Sequence, residues 1–216
     1  MHEPSPSARR RGGSGPDFVV LDAGAGSAPY RDLFSHVTYE AADVAATPGK
    51  DYSHIDYRCD VVDVPVADGR FDLIWCSQVL EHVREPERAL REFHRILKRG
   101  GEVWLTAPFY YEEHEMPWDF FRYTRSAWEH FAELIGFEVV EIERMEGAFG
   151  TVAYSLQAAA RAMPPSTGAT AGNSNGSRPR WWNSNWRSVV RISASRRTTR
   201  WSTAAPDEAS RASVRP

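Results

Sequence analysis

Acidic and small residues stand at the ends of apolar runs, and their types and spacing suggest a ligand-binding site. The run that starts at Phe18 leads into Asp22, and two glycines, Gly24 and Gly26, follow directly. Asp43 ends the next apolar run about 20 residues after the glycines, where a carboxylate can accept the hydroxyl groups of a ribose. We therefore predict a site for a nucleoside-containing ligand at the carboxyl ends of neighbouring parallel strands.

The residues of the glycine turn indicate which kind of nucleoside ligand fits: a dinucleotide or a ligand with a cationic group. A dinucleotide fingerprint needs a third glycine where this chain has Pro29. A carboxylate at Asp22 would repel a diphosphate, so the turn favours a ligand with a cationic group. Glycines suit such a turn because they adopt positive φ angles and let a ligand approach the backbone.

Strands and helices alternate in the predicted elements that position these residues. Apolar runs predict strands that start near Phe18, Val37, Ile55, Phe71, Glu102 and Phe137. Helical spacing predicts helices over residues 30–37, 86–99, 126–135 and 150–163. The fold class is therefore α/β, a Rossmann-like, open, mostly parallel sheet with helices on both faces. Because the region after Phe149 reads as helix, the sequence leaves open whether the sheet has a complete seventh strand.

Composition divides the 216 residues into one globular domain and two tails. Residues 1–16 are rich in Pro, Ser, Gly and Arg and are predicted to be a disordered N-terminal tail. Residues 17–163 form the predicted domain. Residues 164–216 carry nine arginines against Asp207 and Glu208, so we expect a basic, disordered C-terminal tail. Within it, residues 189–192 could form a short strand, but no pattern fixes a fold.

The sequence contains no apolar run near the roughly 20 residues that a membrane helix needs. Its N-terminus has arginines but no apolar core of a signal peptide. We therefore expect a cytoplasmic protein without membrane insertion, whose oligomeric state the sequence leaves open. Cys59 and Cys76 lie outside any zinc-binding spacing and are expected to be reduced.

Four segments together resemble one enzyme family over residues 18–149. They are LDAGAGSAPY, YEAADV, CDVVDVPVADGRFDLIWCSQVLEHV and LKRGGEVWLTAPF. They resemble the class I S-adenosylmethionine-dependent methyltransferases of the type 11 group, with Ala28 in place of the last glycine of the first motif. The resemblance implies S-adenosylmethionine as cofactor and in-line methyl transfer to a small-molecule or carbohydrate-like acceptor. The cofactor-binding residues that it implies are Asp22, Gly24, Gly26, Asp43, Asp60, Val61, Ser77 and Gln78.

The family usually builds its acceptor pocket in the loop after the fifth strand, which here is rich in aromatic residues. His114 in this loop is the candidate catalytic base, because an imidazole titrates near neutral pH. The candidate acceptor-binding residues are Tyr110, Asp119, Arg122 and Tyr123, and Trp118 and Phe120 could stack on an acceptor. The alternative is that Asp119 and Arg122 form a structural pair while the aromatic side chains close the core.

The pair Glu81 and His82 resembles a pair in small-RNA 2′-O-methyltransferases that binds a divalent ion. Those enzymes carry another acid three residues before the glutamate. That position is Gln78 here, a poorer ligand, so we expect no metal site.

Two other functions stay open at this point. A degenerate, non-catalytic cofactor-binding module would keep the fold, while lacking a complete final strand and the family's N-terminal helices over the cofactor. An RNA methyltransferase would use the arginines and tryptophans of the tail to neutralise phosphates and stack on bases. No recognisable nucleic-acid module accompanies that tail, so we expect no nucleic-acid partner.

Overall fold

The computed structural model describes residues 15–46, 49–144, 152–153, 155–156 and 187–194. The strands are β1 (Gly15–Ala23), β2 (Val37–Asp43), β3 (Tyr57–Arg58), β4 (Phe71–Ser77), β5 (Leu97–Pro108), β6 (Phe137–Arg144) and β7 (Arg187–Ala194). The two long helices are α1 (Pro86–Ile96) and α2 (Arg125–Ile135), and two short 3-10 helices span Arg31–Phe34 and Leu80–His82.

All seven strands form one sheet in the order β3-β2-β1-β4-β5-β7-β6. β1 runs parallel to both β2 and β4, and β4 runs parallel to β5. In this register Asp22 lies beside Ala41 on one side and Trp75 on the other. The carboxyl ends of β1, β2 and β4 therefore meet at the point where the strand order reverses, which is where such sheets bind ligands. The predicted Rossmann-like, mostly parallel sheet is confirmed.

The seventh strand lies in the segment that we expected to be a tail. β7 pairs antiparallel with both β5 and β6, so the sheet continues beyond the boundary drawn at residue 163. Its side chains alternate: Val190, Ile192 and Ala194 are buried, and Arg191 between them pairs with acidic residues of the neighbouring strands. The interpretation of residues 187–194 as part of a disordered tail is corrected, as is the doubt about a seventh strand. The rest of both predicted tails lies outside the described residues, apart from Gly15 and Pro16, which belong to β1.

The helices α1 and α2 contact each other and cover one face of the sheet. Pro86 occupies the first turn of α1, which suits its missing N–H group, and Leu90 and Phe93 are fully buried. This helix ends at Ile96 rather than at residue 99, because β5 begins at Leu97. Neither helix in the described part of the chain has the length and apolarity needed to cross a membrane.

The opposite face is covered differently from the prediction. The connection between β1 and β2 forms only the 3-10 helix Arg31–Phe34, and Leu33, expected on a buried stripe, is 68% exposed. Within the described residues, the second face therefore carries this short helix rather than an amphipathic α-helix. An open groove of about 380 Å³ lies there near the amino ends of the strands, lined in part by Leu73 and Trp104. Of the helix predicted over residues 150–163, the four described residues are helical, and the remainder lies outside the described part.

The placement of β7 predicts a contrast between two adjacent valines. Val190 is fully buried between β5 and β6, whereas Val189 is half-buried. The change Val190→Ala should lower the free energy of unfolding by about 2 kcal/mol, because it removes buried methyl groups and leaves a cavity. Val189→Ala is the matched control and should cost less than about 1 kcal/mol. Urea unfolding of both variants measures the difference, and equal, near-zero effects would contradict the assignment of β7.

Candidate active site

The turn after β1 brings the backbone against two neighbouring segments. A Cβ atom on Gly24 would overlap the side chain of Val79, which follows β4, so only glycine fits there. The N–H groups of Gly24 and Ala25 both donate to the carbonyl of Ala42, at 2.8 and 3.0 Å. Both Gly24 and Gly26 have positive φ angles, which glycine adopts without steric cost. The turn is thus held against the carboxyl ends of β2 and β4.

Asp22 is a buried carboxylate at the end of β1. Its residue is 2% exposed, and the hydroxyl of Tyr39 donates to its Oδ2 atom at 2.5 Å. Burial raises the pKa of Asp22 from 3.8 to about 6, and the nearby charge of Asp43 adds to this effect. A cationic group beside Asp22 would offset the penalty that the buried charge carries. Sequence reasoning missed Tyr39, because nothing in a strand pattern marks which hydroxyl meets a carboxylate on the neighbouring strand.

Asp43 is oriented by backbone donors on both of its oxygens. Oδ2 accepts from the N–H of Gly26 at 2.9 Å, and Oδ1 accepts from that of Ala45 at 2.7 Å. A carboxylate oxygen accepts more than one hydrogen bond, so the group keeps acceptor capacity for a ligand. Asp60, after β3, is exposed and accepts from Val62, while Val61 beside it is buried.

Ser77 and Gln78 at the end of β4 are both bonded to β5. The hydroxyl groups of Ser77 and Thr106 lie 2.9 Å apart. Gln78 donates its N–H to the carbonyl of Thr106 at 2.9 Å and has a φ of +58°, unusual for a residue with a side chain. The predicted cofactor residues therefore lie along one edge of the sheet, and their contacts with a cofactor stay predictions.

Arg122 forms hydrogen bonds with several residues of the loop after β5. Its guanidinium bonds both oxygens of Asp119, at 2.6 and 2.8 Å, and also donates to the carbonyls of Tyr111 and Glu112. The side chain of Asp119 is 1% exposed and accepts in addition from the N–H of His114. The arginine holds the pKa of Asp119 well below its usual range. These contacts fit the structural-pair alternative. The guanidinium N–H groups of Arg122 are all engaged, and the carboxylate of Asp119 is buried, so an acceptor could reach either residue only if the loop rearranged.

The two predicted tyrosines have different surroundings. Tyr123 is 3% exposed, stacks on Trp128 and donates its hydroxyl to the carbonyl of Leu80 at 2.7 Å. It therefore supports the 3-10 helix after β4 from within the core. Tyr110 is 49% exposed and is available to a ligand.

His114 lies where the loop after β5 meets the 3-10 helix Leu80–His82. Its ring packs edge-on against the rings of His82 and Tyr111, with centroids 4.8 and 5.0 Å away. Its Nδ1 atom lies 3.2 Å from the carbonyl oxygen of Glu112. A carbonyl oxygen only accepts, so Nδ1 carries the proton and Nε2 keeps the free lone pair that a base or a ligand needs.

Comparison with known proteins finds a methyltransferase domain in part of the chain. Residues 21–105 match the model of a methyltransferase domain, of the type 11 group. A segment of 110 residues, 44% of this chain, is 34% identical to the sarcosine/dimethylglycine N-methyltransferase of Halorhodospira halochloris, and spans 39% of that enzyme's length. The chain thus spans about two fifths of the length of this curated relative. Over residues 21–105, the chain therefore carries a domain similar to the methyltransferase domains of the type 11 group.

Solved structures share the fold at low identity. The 4+2 cyclase SpnF superposes with a TM-score of 0.56 at 18% identity, over 84% of this chain and 76% of that one. The Burkholderia thailandensis 1,6-didemethyltoxoflavin N1-methyltransferase, solved with bound 1,6-didemethyltoxoflavin and S-adenosylhomocysteine, gives a TM-score of 0.54 at 16% identity, over 82% of this chain and 71% of that one. These likenesses establish the fold, which hosts more than one chemistry.

The raised pKa of Asp22 predicts a pH-dependent stability difference between the wild type and Asp22→Asn. Well below pH 3.8 the carboxyl is neutral in both the folded and unfolded states, so its burial carries no charge penalty. As the pH rises from 3.8 to about 6, the unfolded chain ionises before the folded protein does, so the free energy of unfolding falls, and the loss is complete above about pH 6. The difference between 3.8 and about 6 corresponds to about 3 kcal/mol. The free energy of unfolding of Asp22→Asn, relative to that of wild type, should therefore rise by about 3 kcal/mol between low and neutral pH.

Denaturant unfolding of both proteins at several pH values within this window measures the difference. Tyr39→Phe is a useful control, because it removes the hydrogen bond that lowers the pKa of Asp22 and should raise that pKa further. A difference between wild type and Asp22→Asn that does not change with pH would contradict the assignment.

Proposed function

We propose that this chain binds S-adenosylmethionine along the carboxyl ends of β1, β2 and β4 and catalyses methyl transfer to a small-molecule acceptor. The observation that carries the proposal is the buried carboxylate of Asp22 beside a turn in which Gly24 admits no side chain, within a methyltransferase domain. The relative from Halorhodospira halochloris is named for small amine substrates, which supports a small acceptor.

Each end of the cofactor has a candidate partner along this edge. The methionine ammonium would pair with Asp22, where a positive charge offsets the cost of burying the carboxylate. Asp43, held by the N–H groups of Gly26 and Ala45, would accept the ribose hydroxyls. Asp60 would accept from the adenine amino group, and the buried Val61 would pack on the ring. Ser77 and Gln78 would line the edge between the cofactor and β5.

The cofactor supplies a methyl group already activated by a positively charged sulfur. The nucleophile forms a bond to this carbon as the bond from carbon to sulfur breaks, and the sulfur keeps the electron pair. The protein then contributes mainly alignment of the two reactants and exclusion of water. A base is needed only where the nucleophile carries a proton that must leave.

The loop after β5 is the proposed acceptor surface. It exposes Phe109, Tyr110, Trp118 and Phe121 by 36 to 53% of their areas, which offers flat apolar faces to an aromatic or carbohydrate-like acceptor. His114 would take the proton of such an acceptor through Nε2, because its Nδ1 is held by the carbonyl of Glu112. Asp119 and Arg122 hold this loop in shape, so they act as positioning residues, and Tyr123 supports it from the core.

A non-catalytic cofactor-binding module is the second candidate. The observation that favours it is the short 3-10 helix Arg31–Phe34, which takes the place of an α-helix between β1 and β2. The RNA alternative is weakened because two of the nine tail arginines lie in β7, and one of these, Arg191, pairs with Glu102 and Glu141.

Calorimetric titration with S-adenosylhomocysteine tests the cofactor site. Wild type should bind, and Asp22→Asn should bind at least about tenfold more weakly at neutral pH, because the ammonium loses its charged partner. Asp72→Asn is the matched control: this acid lies on β4 at the opposite edge of the sheet, paired with Lys98, and its loss should leave the affinity unchanged. Absence of binding by the folded wild type, or equal affinities for all three proteins, would reject the proposal.

Turnover distinguishes the enzyme from the binding module. Release of S-adenosylhomocysteine from S-adenosylmethionine, followed over a panel of amine, phenol and sugar acceptors, should reveal a substrate whose rate falls in His114→Ala. Cofactor binding without turnover on any acceptor would favour the non-catalytic module.

A further inference from the structure

Three side chains of metal-binding type converge beside the proposed acceptor surface. Glu81 and His82 belong to the 3-10 helix after β4, and His114 comes from the loop after β5. One ligand atom from each lies within 4.8 Å of the others. The sequence argument against a metal considered only Gln78, three residues before Glu81, and could not foresee that the fold brings His114 to the pair.

Both imidazoles present a lone pair from the same ring atom. Nδ1 of His82 lies 2.7 Å from the carbonyl oxygen of Trp118, and Nδ1 of His114 lies 3.2 Å from that of Glu112. Because carbonyl oxygens only accept, both Nδ1 atoms carry protons and both Nε2 atoms are free to coordinate. A backbone carbonyl that fixes the second ring nitrogen is the usual support of a metal-binding histidine.

The carboxylate of the cluster is buried and its backbone is fixed. Glu81 is 0% exposed, and its carbonyl accepts the N–H groups of Phe120 and Phe121 at 2.8 and 3.2 Å. These bonds hold the 3-10 helix after β4 against the loop that carries His114. A second carboxylate, that of Glu115, lies 3.9 Å from Nε2 of His82 and is 68% exposed, so it can turn toward a bound ion.

We propose that Glu81, His82 and His114 bind one divalent transition-metal ion of the zinc class. Two imidazoles and one carboxylate suit Zn²⁺, Co²⁺ or Ni²⁺ better than Mg²⁺ or Ca²⁺, which prefer oxygen ligands alone. Glu115, water or an acceptor heteroatom completes the coordination. Tetrahedral bonds of about 2.1 Å place ligand atoms about 3.4 Å apart, so the ligands draw together on binding.

This site changes the role of His114. Its Nε2 atom cannot hold a metal ion and accept a proton from the acceptor at the same time. With the ion bound, an acceptor hydroxyl or amine on the open coordination position loses its proton more easily, because the cation stabilises the conjugate base. Val79, which contacts the backbone of Gly24, links this cluster to the proposed cofactor turn.

The test uses the full chain, freed of metal with a chelator and titrated with Zn²⁺ by calorimetry. We expect one ion per chain, and an affinity at least about tenfold weaker in His82→Ala and in His114→Ala. His130→Ala is the matched control, because His130 is exposed on α2 outside the cluster, and it should bind as wild type does. Absence of binding by wild type, or an affinity unchanged in both cluster variants, would overturn the site.

A second measurement needs no substitution and so does not depend on the variants' folding. X-ray absorption of the Zn²⁺-loaded wild type counts the imidazoles around the ion: two support the site, and none or one overturns it. Titration of the metal-free wild type with S-adenosylhomocysteine reports independently on the proposed cofactor site. A failure of the metal site is therefore distinguishable from a failure of the proposed function.

Discussion

The close contact between the first turn and its neighbours is the constraint on which the site depends. Gly24 and Ala25 both donate to the carbonyl of Ala42, and the backbone of Gly24 leaves no room for a side chain beside Val79. A single turn therefore fixes where β1 ends relative to β2 and to the segment after β4. Asp22 and Asp43 receive their positions from that turn, and Glu81 and His82 follow Val79 within three residues.

Two buried carboxyl groups, those of Asp22 and Glu81, relate this turn to the proposed binding sites. Asp22 loses solvation at the end of β1, and the hydrogen bond from Tyr39 only partly offsets the loss, so its pKa rises to about 6. Glu81 of the proposed metal site is also buried, and it lies two residues after Val79, whose side chain packs against the same turn. Burial of a carboxylate is tolerated where a cation or strong donors meet it. The proposed cofactor ammonium and the proposed metal ion would supply a cation at these two places.

Local pattern in the sequence predicted the parallel strands and the acids at their ends, because a buried strand followed by a glycine turn leaves a short, specific signal. The same reasoning missed β7, since residues 145–186 separate it from β6 and the surrounding composition is polar. The alternation of Val190, Arg191 and Ile192 was visible, but only the pairing with β5 and β6 gives it a place. The convergence of His82 and His114 is likewise a property of the tertiary fold. By contrast, the prediction of an α-helix after β1 was wrong. The segment forms a 3-10 helix, in which Leu33 faces solvent instead of the core.

A crystal structure of the protein with S-adenosylhomocysteine tests the central claim most directly. The account predicts the ligand along the carboxyl ends of β1, β2 and β4, with its ammonium group bonded to Asp22 and its ribose hydroxyls bonded to Asp43. A ligand in the groove beside Leu73 and Trp104 on the other face, or one that leaves Asp22 and Asp43 without contact, would contradict it.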